Sequence, residues 1–361
     1  MITILHAFSR RNSGDGLLVD LTYEVLADAG IRPEECRIVA LDPDSFPDLA
    51  NVVRAPGEHR SIVSPRLADA ALQVALSDIG ADRISKLAKD SSGIVAVGGG
   101  YLVADSPVRQ AGVVLNHLAQ INAAGRSGAN TIYLPQSIGP LRGPADPLLR
   151  KALSRIDRVW VRDNLTLEEL RGSNVARCPD LAVLKLARAL RDPSSVAGDP
   201  IVLVGRDLPA SRNYDANLLE LEHQLDRTRW AVQADVDGPR SDRAYYRKLG
   251  VTDHGSLDSV LAQGAAAVVS VRLHGAIGAL LAGVPAVHLS YERKGWGAYE
   301  DLGLDEWVHD ARNFDPNLVA RQARELASDP SRMWAKLEDA RVTLKSSYEM
   351  LVSDIASRFS R

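Results

Sequence analysis

Short runs of apolar and β-branched residues alternate along the chain with longer segments of helical periodicity. In the first half, the runs predict strands and the segments between them predict amphipathic helices. Because these strands are apolar throughout, we expect a parallel sheet that is covered on both faces. The predicted strands are Ile2–Ala7, Arg37–Leu41, Ile94–Val97, Thr131–Leu134, Arg158–Val161 and Val175–Cys178. The predicted helices are Leu17–Ala29, Leu67–Leu76, Val108–Ala123 and Pro147–Ile156.

A polar stretch at Arg191–Pro200 interrupts this pattern and has the proline and glycine content of a linker. The pattern then resumes, and the sequence from about Asn317 to Phe359 is helical in character. We therefore predict an α/β fold with two Rossmann-like lobes, 1–190 and 199–315, and a C-terminal helical tail, 316–361, that packs back on the lobes. The strands predicted in the second lobe are Ile201–Gly205, Trp230–Ala234, Ala266–Val271 and Ala286–Ser290.

Length and composition support two soluble domains. A chain of 361 residues exceeds what one hydrophobic core usually supports, and 45% hydrophobic with 25% charged residues is typical of globular proteins. The net charge of -3 gives no basic excess for a nucleic-acid partner. Two cysteines far apart, Cys36 and Cys178, favour a reducing compartment. No apolar run approaches the roughly 20 residues of a membrane span, so we expect a cytoplasmic protein with at most peripheral membrane association.

In open parallel sheets, ligands bind at the carboxyl ends of the strands, so the residues that follow each strand are the first candidates for a site. Asn12, Gly14, Asp15 and Gly16 follow the first strand and precede a helix. Glycines there permit a tight turn, and a helix N-terminus attracts anions. A structural turn in which Asp15 is the helix N-cap explains the same residues, and the local sequence favours it.

Three glycines, Gly98, Gly99 and Gly100, follow the strand Ile94–Val97. They leave the backbone open to a ligand, although a structural turn explains them almost as well.

Polar side chains follow the next two strands of the first lobe. Gln136 and Ser137 are predicted in a loop, where they offer neutral hydrogen bonds suited to sugar hydroxyls. Arg162 and Asp163 follow the strand after that, and a local ion pair is as good an explanation as a functional role.

The strongest group of candidates lies in the second lobe. Arg272 and His274 stand where a buried strand becomes an apolar helix, and Tyr291 and Lys294 follow the next strand. Arginine suits bidentate binding of carboxylate or phosphate, and histidine titrates near neutrality. Because two neighbouring strand ends bring Arg, His and Lys to one sheet edge, a functional role is favoured over isolated structural ones.

The sequence predicts neither a metal site nor a cofactor. Asp42, Pro43 and Asp44 imitate an acidic metal motif, but the proline and the serine that follows favour a turn. The remaining histidines lack metal-ligand spacing, and no nucleotide fingerprint, P-loop or nucleophile elbow occurs.

Taken in order, these motifs resemble those of the polysaccharide pyruvyl transferases, over most of the chain from about Gly14 to Lys294. Each motif is short, but seven in the same order are specific. The motifs are Asn-x-Gly-Asp at Asn12, the Gly-Gly-Gly turn at Gly98, Gln-Ser-Ile-Gly-Pro at Gln136, Arg162-Asp163, Pro179-Asp180-Leu181, Arg272-Leu273-His274 and Tyr291-x-x-Lys294.

The resemblance implies a two-lobed, GT-B-like fold with the active site in the interdomain cleft. It also implies phosphoenolpyruvate as donor and a saccharide as acceptor, either within a cell-surface polysaccharide or in its lipid-linked precursor. Residue by residue, it implies that Arg272 holds the donor's anionic groups and His274 is the general acid. Arg162 and Lys294 are weaker candidates for the same anionic groups, and Asp15 is our candidate base.

Two alternatives belong to other functional classes. A nucleotide-sugar-dependent glycosyltransferase would share the two-lobed architecture, since a fold does not determine a function. A non-catalytic glycan-binding protein would give no reason for Arg272, His274 and Lys294 to occur together.

Overall fold

A computed structural model describes residues 1–55, 82–189, 199–208, 211, 213–235 and 241–359. The predicted helix Leu67–Leu76 and most of the predicted linker Arg191–Pro200 lie outside this part. The described chain divides into two compact units. The first comprises Met1–Arg10, Asp15–Leu181 and the segment from Tyr348 onward, and the second comprises Arg11–Gly14 and Ala182–Ser347. The two units therefore divide after Leu181, before the predicted linker. The predicted helical tail, 316–361, is divided as well, since its residues up to Ser347 belong to the second unit.

The first unit contains an eight-stranded sheet whose strand pairs are all parallel. Its strands are Ile2–Ala7 (β1), Cys36–Ala40 (β2), Val52–Arg54 (β3), Gly93–Ala96 (β4), Gly99–Ala104 (β5), Asn130–Leu141 (β6), Arg158–Val161 (β7) and Val175–Arg177 (β8). The order is β3-β2-β1-β4-β6-β7-β8, with β5 paired to β6. The order therefore reverses between β1 and β4, which is where ligands bind in such sheets.

Helices connect these strands, as parallel pairing requires. They are Ser13–Asp28 (α1), 82–89 (α2), Pro107–Val113 (α3), Ala119–Ala124 (α4), Ala145–Leu153 (α5) and Asn164–Leu170 (α6). A π-helical turn, Val114–Leu118, joins α3 to α4, and Pro33–Glu35 and Pro43–Ser45 form 3₁₀ turns. The 3₁₀ turn at Pro43 agrees with the turn predicted there.

The second unit contains a six-stranded parallel sheet. Its strands are Ile201–Val204 (β9), Thr228–Val232 (β10), His254–Ser256 (β11), Ala267–Ser270 (β12), Ala286–Ser290 (β13) and Val308–Asp310 (β14). The order is β11-β10-β9-β12-β13-β14, so this sheet reverses between β9 and β12. Every residue of β9, β12 and β13 is buried, as the apolar runs predict for a sheet covered on both faces.

Eight helices begin in the described part of the second unit or at its border. They are Leu181–Ala189 (α7), Tyr214–Gln224 (α8), Asp242–Leu249 (α9), Leu257–Ala262 (α10), Leu273–Leu281 (α11), Arg293–Asp301 (α12), Pro316–Ser328 (α13) and Ser331–Phe359 (α14). No helix in the described ranges is long and apolar enough to cross a membrane. The predicted fold class, α/β with two parallel sheets and a C-terminal helical tail, is confirmed.

Two predicted loops in the first unit are strands. The motif at Gln136 and Ser137 lies inside β6, which continues to Leu141 and pairs with β5. Gly99 and Gly100 open β5 rather than forming a turn. The first of these differences has a simple cause. The predicted strand ends before Pro135, yet β6 continues through that proline with an irregular register to its neighbours.

Two helices begin earlier than their apolar periodicity suggests. Helix α1 begins at Ser13 rather than Leu17, and α11 begins at Leu273 rather than Ala276. Asp15 and His274 therefore lie in first helical turns, where the glycine-rich sequence is helical despite its low propensity.

Candidate functional site

The carboxyl ends of β9, β10, β12 and β13 bring polar residues to one edge of the second unit's sheet. Arg206 follows β9, Gln233 follows β10, Arg272 and His274 follow β12, and Tyr291 follows β13. Since β9 and β12 flank the point where the strand order reverses, this edge is the place where the topology predicts a ligand.

Arg272 is almost fully buried and is held by Asp242, the first residue of α9. Its Nε donates to Asp242 Oδ1 at 2.9 Å and Oδ2 at 3.0 Å, and its Nη2 also donates to Oδ1. Asp242 further accepts hydrogen bonds from the backbone N–H groups of Gln233 and Ala234, at 3.0 and 2.8 Å. Burial alone would lower the pKa of Arg272, but the carboxylate of Asp242 outweighs it and the pKa is raised. The guanidinium is therefore permanently charged and rigidly oriented.

The segment Arg11–Gly14 groups with the second unit and lies along the end of β10. Asn12 forms an antiparallel bridge with Ala234, and the N–H and hydroxyl of Ser13 donate to the carbonyl of Gln233, at 3.3 and 3.0 Å. These bonds fix the position of Gly14, which follows directly.

Gly14 allows the backbone to approach His274 closely. A Cβ atom at Gly14 would stand 2.8 Å from His274 Nδ1 and 2.9 Å from Gln233 Nε2, closer than real Cβ contacts come. The predicted residues Gly14 and His274 therefore lie together, with Gln233 beside them. The absence of a side chain at Gly14 is explained by this contact.

Tyr291 connects two cationic side chains at the same edge. Arg206 Nη1 donates to its hydroxyl, and the guanidinium carbon lies 4.6 Å from the ring centroid. Lys294 Nζ lies 5.9 Å from the same centroid and 3.0 Å from Glu292 Oε2. Cations near an aromatic face are attracted by the ring quadrupole, so Tyr291 helps to keep them at this edge.

His288, on β13, is a buried and neutral neighbour of the predicted residues. Its pKa is lowered to about 4, chiefly by burial; the hydrogen bond to Ser270 opposes this shift and the nearby Lys294 adds to it. Its Nδ1–H donates to the carbonyl of Ser270 at 2.8 Å. The close packing continues at Gly295, where a Cβ would stand 2.3 Å from His288 Nε2.

The first unit holds a second group of predicted residues at the ends of β6 and β7. Arg162 is 2% exposed, its Nε donates to Ser137 Oγ at 3.1 Å, and its Nη1 donates to Asp180. Its Nη2 is buried without a hydrogen-bond partner. Gln136 is fully buried, and neither atom of its amide has a partner. The predicted ion pair of Arg162 is therefore with Asp180 rather than Asp163, whose carboxylate caps α6.

The glycines after β4 lie beside this group. Gly99 is opposite Gln136 in the pairing of β5 with β6. A Cβ at Gly98 would stand 2.6 Å from the carbonyl oxygen of Pro135, so Gly98 permits close packing of two chain segments. Gly100 follows within β5 and is half-buried.

Asp15 is the third residue of α1 and is half-buried. It is not the N-cap that local sequence suggests. Asn12 precedes the helix, and its Oδ1 accepts a hydrogen bond from the N–H of Gly14 at 3.3 Å. The N-cap role therefore belongs to Asn12, and Asp15 adds a negative charge to the first turn, where the helix dipole favours it.

Sequence reasoning missed Arg206, Gln233 and Asp242. Arg206 stands just after a strand, so the rule that selected Arg272 applies to it equally. The sequence pattern puts Gln233 inside the predicted strand Trp230–Ala234, whereas β10 ends two residues earlier, at Val232. Asp242 follows no strand, and only the tertiary structure reveals its pairing with Arg272.

Similarity to solved structures places this fold in a known class. S. aureus MnaA, in complex with UDP, superposes with a TM-score of 0.54 at 10% identity, covering 97% of this chain and 94% of that one. UDP-GlcNAc 2-epimerase from Methanocaldococcus jannaschii gives 0.52 at 12% identity, covering 95% and 99%. Glycyrrhiza uralensis UGT73P12, complexed with glycyrrhetinic acid 3-O-monoglucuronide, gives 0.52 at 10% identity, covering 99% and 95%. The fold is thus that of GT-B glycosyltransferases and related epimerases.

The family follows from the sequence. A search of curated protein sequences gives no match. The family model for polysaccharide pyruvyl transferase matches residues 12–293, which include the first six motifs and Tyr291 of the seventh. The chain therefore belongs to the polysaccharide pyruvyl transferase family, as its motifs predict.

Proposed function

We propose that this protein transfers a pyruvyl group from phosphoenolpyruvate to a sugar of a cell-surface polysaccharide or its precursor. The product is a pyruvate ketal, and inorganic phosphate is released. The observation that carries the proposal is the group of Arg206, Arg272, Lys294 and His274 at the carboxyl edge of the second unit's sheet, in a member of this family.

The donor requires cations, because phosphoenolpyruvate carries a carboxylate and a phosphate. Arg272 presents a guanidinium whose orientation is fixed by Asp242, and arginine suits bidentate binding of both anions. Arg206 and Lys294, both near the ring of Tyr291, are further cations at this edge. We assign the donor to this edge of the second unit.

The chemistry begins with an acid. Protonation of the methylene carbon by His274 gives a methyl group and an oxocarbenium-like centre at the adjacent carbon. A sugar hydroxyl attacks that carbon and gives up its proton to a base, for which Asp15 is our candidate. Phosphate then leaves with the electrons of its carbon–oxygen bond. A second hydroxyl attacks the same carbon, gives its proton to the imidazole of His274, which the first step left neutral, and closes the ketal. Positive charge around the developing anions stabilises this path.

Neutral hydrogen-bonding groups in the first unit suit the saccharide. The buried amide of Gln136 has a donor and an acceptor without partners, and a sugar hydroxyl offers the complementary pair. We assign Gln136, Ser137, Gly99 and Gly100 to binding of the saccharide. Arg162 is a further cation that can bind substrate.

Donor use separates this proposal from a nucleotide-sugar glycosyltransferase. The purified protein is incubated with a saccharide acceptor and either phosphoenolpyruvate or a series of UDP-sugars. We expect acceptor-dependent release of inorganic phosphate with phosphoenolpyruvate and no nucleoside diphosphate from any UDP-sugar. Release of UDP, with no phosphate from phosphoenolpyruvate, would overturn the proposal in favour of a glycosyltransferase.

We further propose a cytoplasmic protein whose acceptor is the polysaccharide itself or a lipid-linked precursor. The experiment that separates the two acceptors compares transfer to water-soluble oligosaccharides with transfer to a lipid-linked saccharide in detergent.

A further inference from the structure

Gln233 has a backbone whose N–H and carbonyl are both hydrogen-bonded and a side-chain oxygen that is not. Its N–H donates to Asp242 at 3.0 Å, and its carbonyl accepts from both the N–H and the hydroxyl of Ser13. The residue is only 6% exposed, and its Oε1 atom is buried without a hydrogen-bond partner. A buried polar atom without a partner is costly, so such an atom in a rigid setting indicates a group that a ligand completes.

The room around this amide comes from two glycines. A Cβ at Gly275 would stand 2.6 Å from Gln233 Oε1, and a Cβ at Gly14 would stand 2.9 Å from Nε2. That second point is also 2.8 Å from His274 Nδ1. The amide of Gln233 therefore lies next to the imidazole that we assign as the acid, and no intervening side chain separates the two at Gly14.

The chemistry of the amide selects the ligand group. A carboxamide offers a donor and an acceptor, and a hydroxyl is the substrate group that pairs with both. The carboxylate and phosphate oxygens of phosphoenolpyruvate accept hydrogen bonds only, so they would leave Oε1 unsatisfied. The hydroxyl that attacks must come within bonding distance of the carbon beside the one that His274 protonates.

We propose that Gln233 binds the attacking hydroxyl of the acceptor sugar and positions it beside His274. This inference rests on the proposed pyruvyl transfer and adds to it a residue that selects for the acceptor. Asp242 then has two roles in the second unit, since its carboxylate orients Arg272 and also holds the backbone of Gln233.

The test compares Gln233→Leu with the wild-type protein, using phosphoenolpyruvate and a panel of aryl hexopyranosides as acceptors. We expect kcat/KM for the acceptor to fall by about ten-fold or more, as when a substrate hydrogen bond is lost. The KM for phosphoenolpyruvate should change less than about three-fold. The melting temperature should stay the same or rise, because an apolar group replaces an amide whose buried oxygen is unsatisfied.

A matched control is Gln322→Leu in the same unit. The amide of Gln322 is satisfied, since its Oε1 lies 2.6 Å from His309 Nε2 and its Nε2 donates to the carbonyl of Glu306 at 2.8 Å. This variant should melt at a lower temperature and keep its acceptor KM, which is the opposite of Gln233→Leu. Unchanged acceptor kinetics in Gln233→Leu would overturn the proposal, as would an equal rise in both KM values.

A second measurement identifies the hydroxyl. Monodeoxy versions of a reacting acceptor serve as inhibitors of the wild-type protein and of Gln233→Leu. For each analogue, the inhibition constant of Gln233→Leu is divided by that of the wild type. This ratio should be about 1 for the analogue that lacks the hydroxyl bound by Gln233, because the substitution then removes no hydrogen bond to the analogue. A ratio that stays equally large for every analogue would contradict the assignment.

A failure of the proposed pyruvyl transfer can be distinguished from a failure of the role proposed for Gln233. If the wild-type protein releases no phosphate from phosphoenolpyruvate with any acceptor, pyruvyl transfer is wrong. Calorimetric binding of the same aryl hexopyranosides to wild type and Gln233→Leu then tests the amide alone. Equal dissociation constants would overturn it, and roughly ten-fold weaker binding by the variant would support it.

Discussion

His274 lies in the first turn of α11, against the backbone of Gly14 and beside the amide of Gln233. Because an acid acts in the transition state, His274→Ala should lower kcat by about 10²–10⁴-fold and leave the KM for phosphoenolpyruvate nearly unchanged. Steady-state kinetics measure the two constants. His223→Ala removes an exposed imidazole from the same unit and should behave as wild type. A His274→Ala variant with wild-type kcat would place the acid elsewhere.

A substitution at Gly14 tests the close contact between its backbone and His274. Gly14→Ala puts a methyl group 2.8 Å from His274 Nδ1, so the imidazole or the backbone must move. We expect a fall in kcat of at least ten-fold in a folded protein, because small misplacement of a catalytic group is costly. Gly278→Ala is the control, since Gly278 lies on the same helix as His274 and its Cβ would meet open space. Equal activity of the two variants would show that the contact is irrelevant to catalysis.

Asp15 can be tested as the base with asparagine, which keeps the shape of the side chain but cannot take up a proton at neutral pH. In the first turn of α1, Asp15→Asn loses a favourable charge–dipole interaction of about 0.3–1 kcal/mol, which thermal unfolding will report. A catalytic base lost in the same variant should lower kcat by about 10²–10⁴-fold. A folded Asn variant with full activity would leave Asp15 with a structural role only.

At the residue scale, sequence reasoning succeeded where a side chain follows a predicted strand. Arg272 and His274 were found in this way, and the structure brings His274 together with Gly14. Gln233 was not predicted as a site residue, because the predicted end of its strand lies two residues beyond the end of β10. Asp242 escaped because its importance lies in a pairing with Arg272 across 30 residues of sequence, which no local pattern contains.

At the scale of elements, an irregular junction in the first unit joins β1 to the π-helical turn. His6, on β1, has a φ of 66° in a strand whose register shifts between Ile4 and Ala7. Its Nδ1 lies 3.0 Å from Nδ1 of His117, on the π-helical turn, and its Nε2 lies 3.0 Å from the hydroxyl of Tyr133. Such distortions persist only where surrounding contacts hold them in place. The apolar runs predict β1, which holds His6, and the first part of β6, which holds Tyr133, but they do not predict this junction.

This junction predicts a loss of stability in acid. Burial lowers the pKa of His117 to about 4 and that of His6 well below its ordinary value. The unfolded imidazole takes up a proton near pH 6.5, whereas the folded one resists it, so stability is complete above pH 6.5 and falls toward pH 4. For His117 the loss is about 2 kcal/mol between pH 6.5 and pH 5.

Urea denaturation at several pH values measures this loss. His117→Gln keeps a hydrogen-bonding side chain but cannot titrate, so its stability should depend less steeply on pH than that of the wild type. His223→Gln, at an exposed site, should leave the pH dependence unchanged. Identical pH dependence in His117→Gln and wild type would contradict the assignment of a neutral, buried His117.

At the scale of the whole molecule, the fold and the family answer different questions. The alternation of apolar strands and helices predicted two parallel sheets, and the solved structures of GT-B glycosyltransferases and epimerases share that fold. At 10–12% identity they say nothing about the reaction. The family match over residues 12–293 and the cations at the edge of the second sheet carry the functional proposal. The identity of the donor is tested by analysis of the reaction product.

The most direct test of that donor is the mass of the product. The protein is incubated with isotopically labelled phosphoenolpyruvate and an oligosaccharide acceptor, and the saccharide is analysed by mass spectrometry and carbon NMR. The account predicts a saccharide heavier by one labelled pyruvic acid less one water, with the label in a ketal carbon. Recovery of unmodified saccharide from every acceptor tried, while a UDP-sugar yields a glycosylated product, would contradict it.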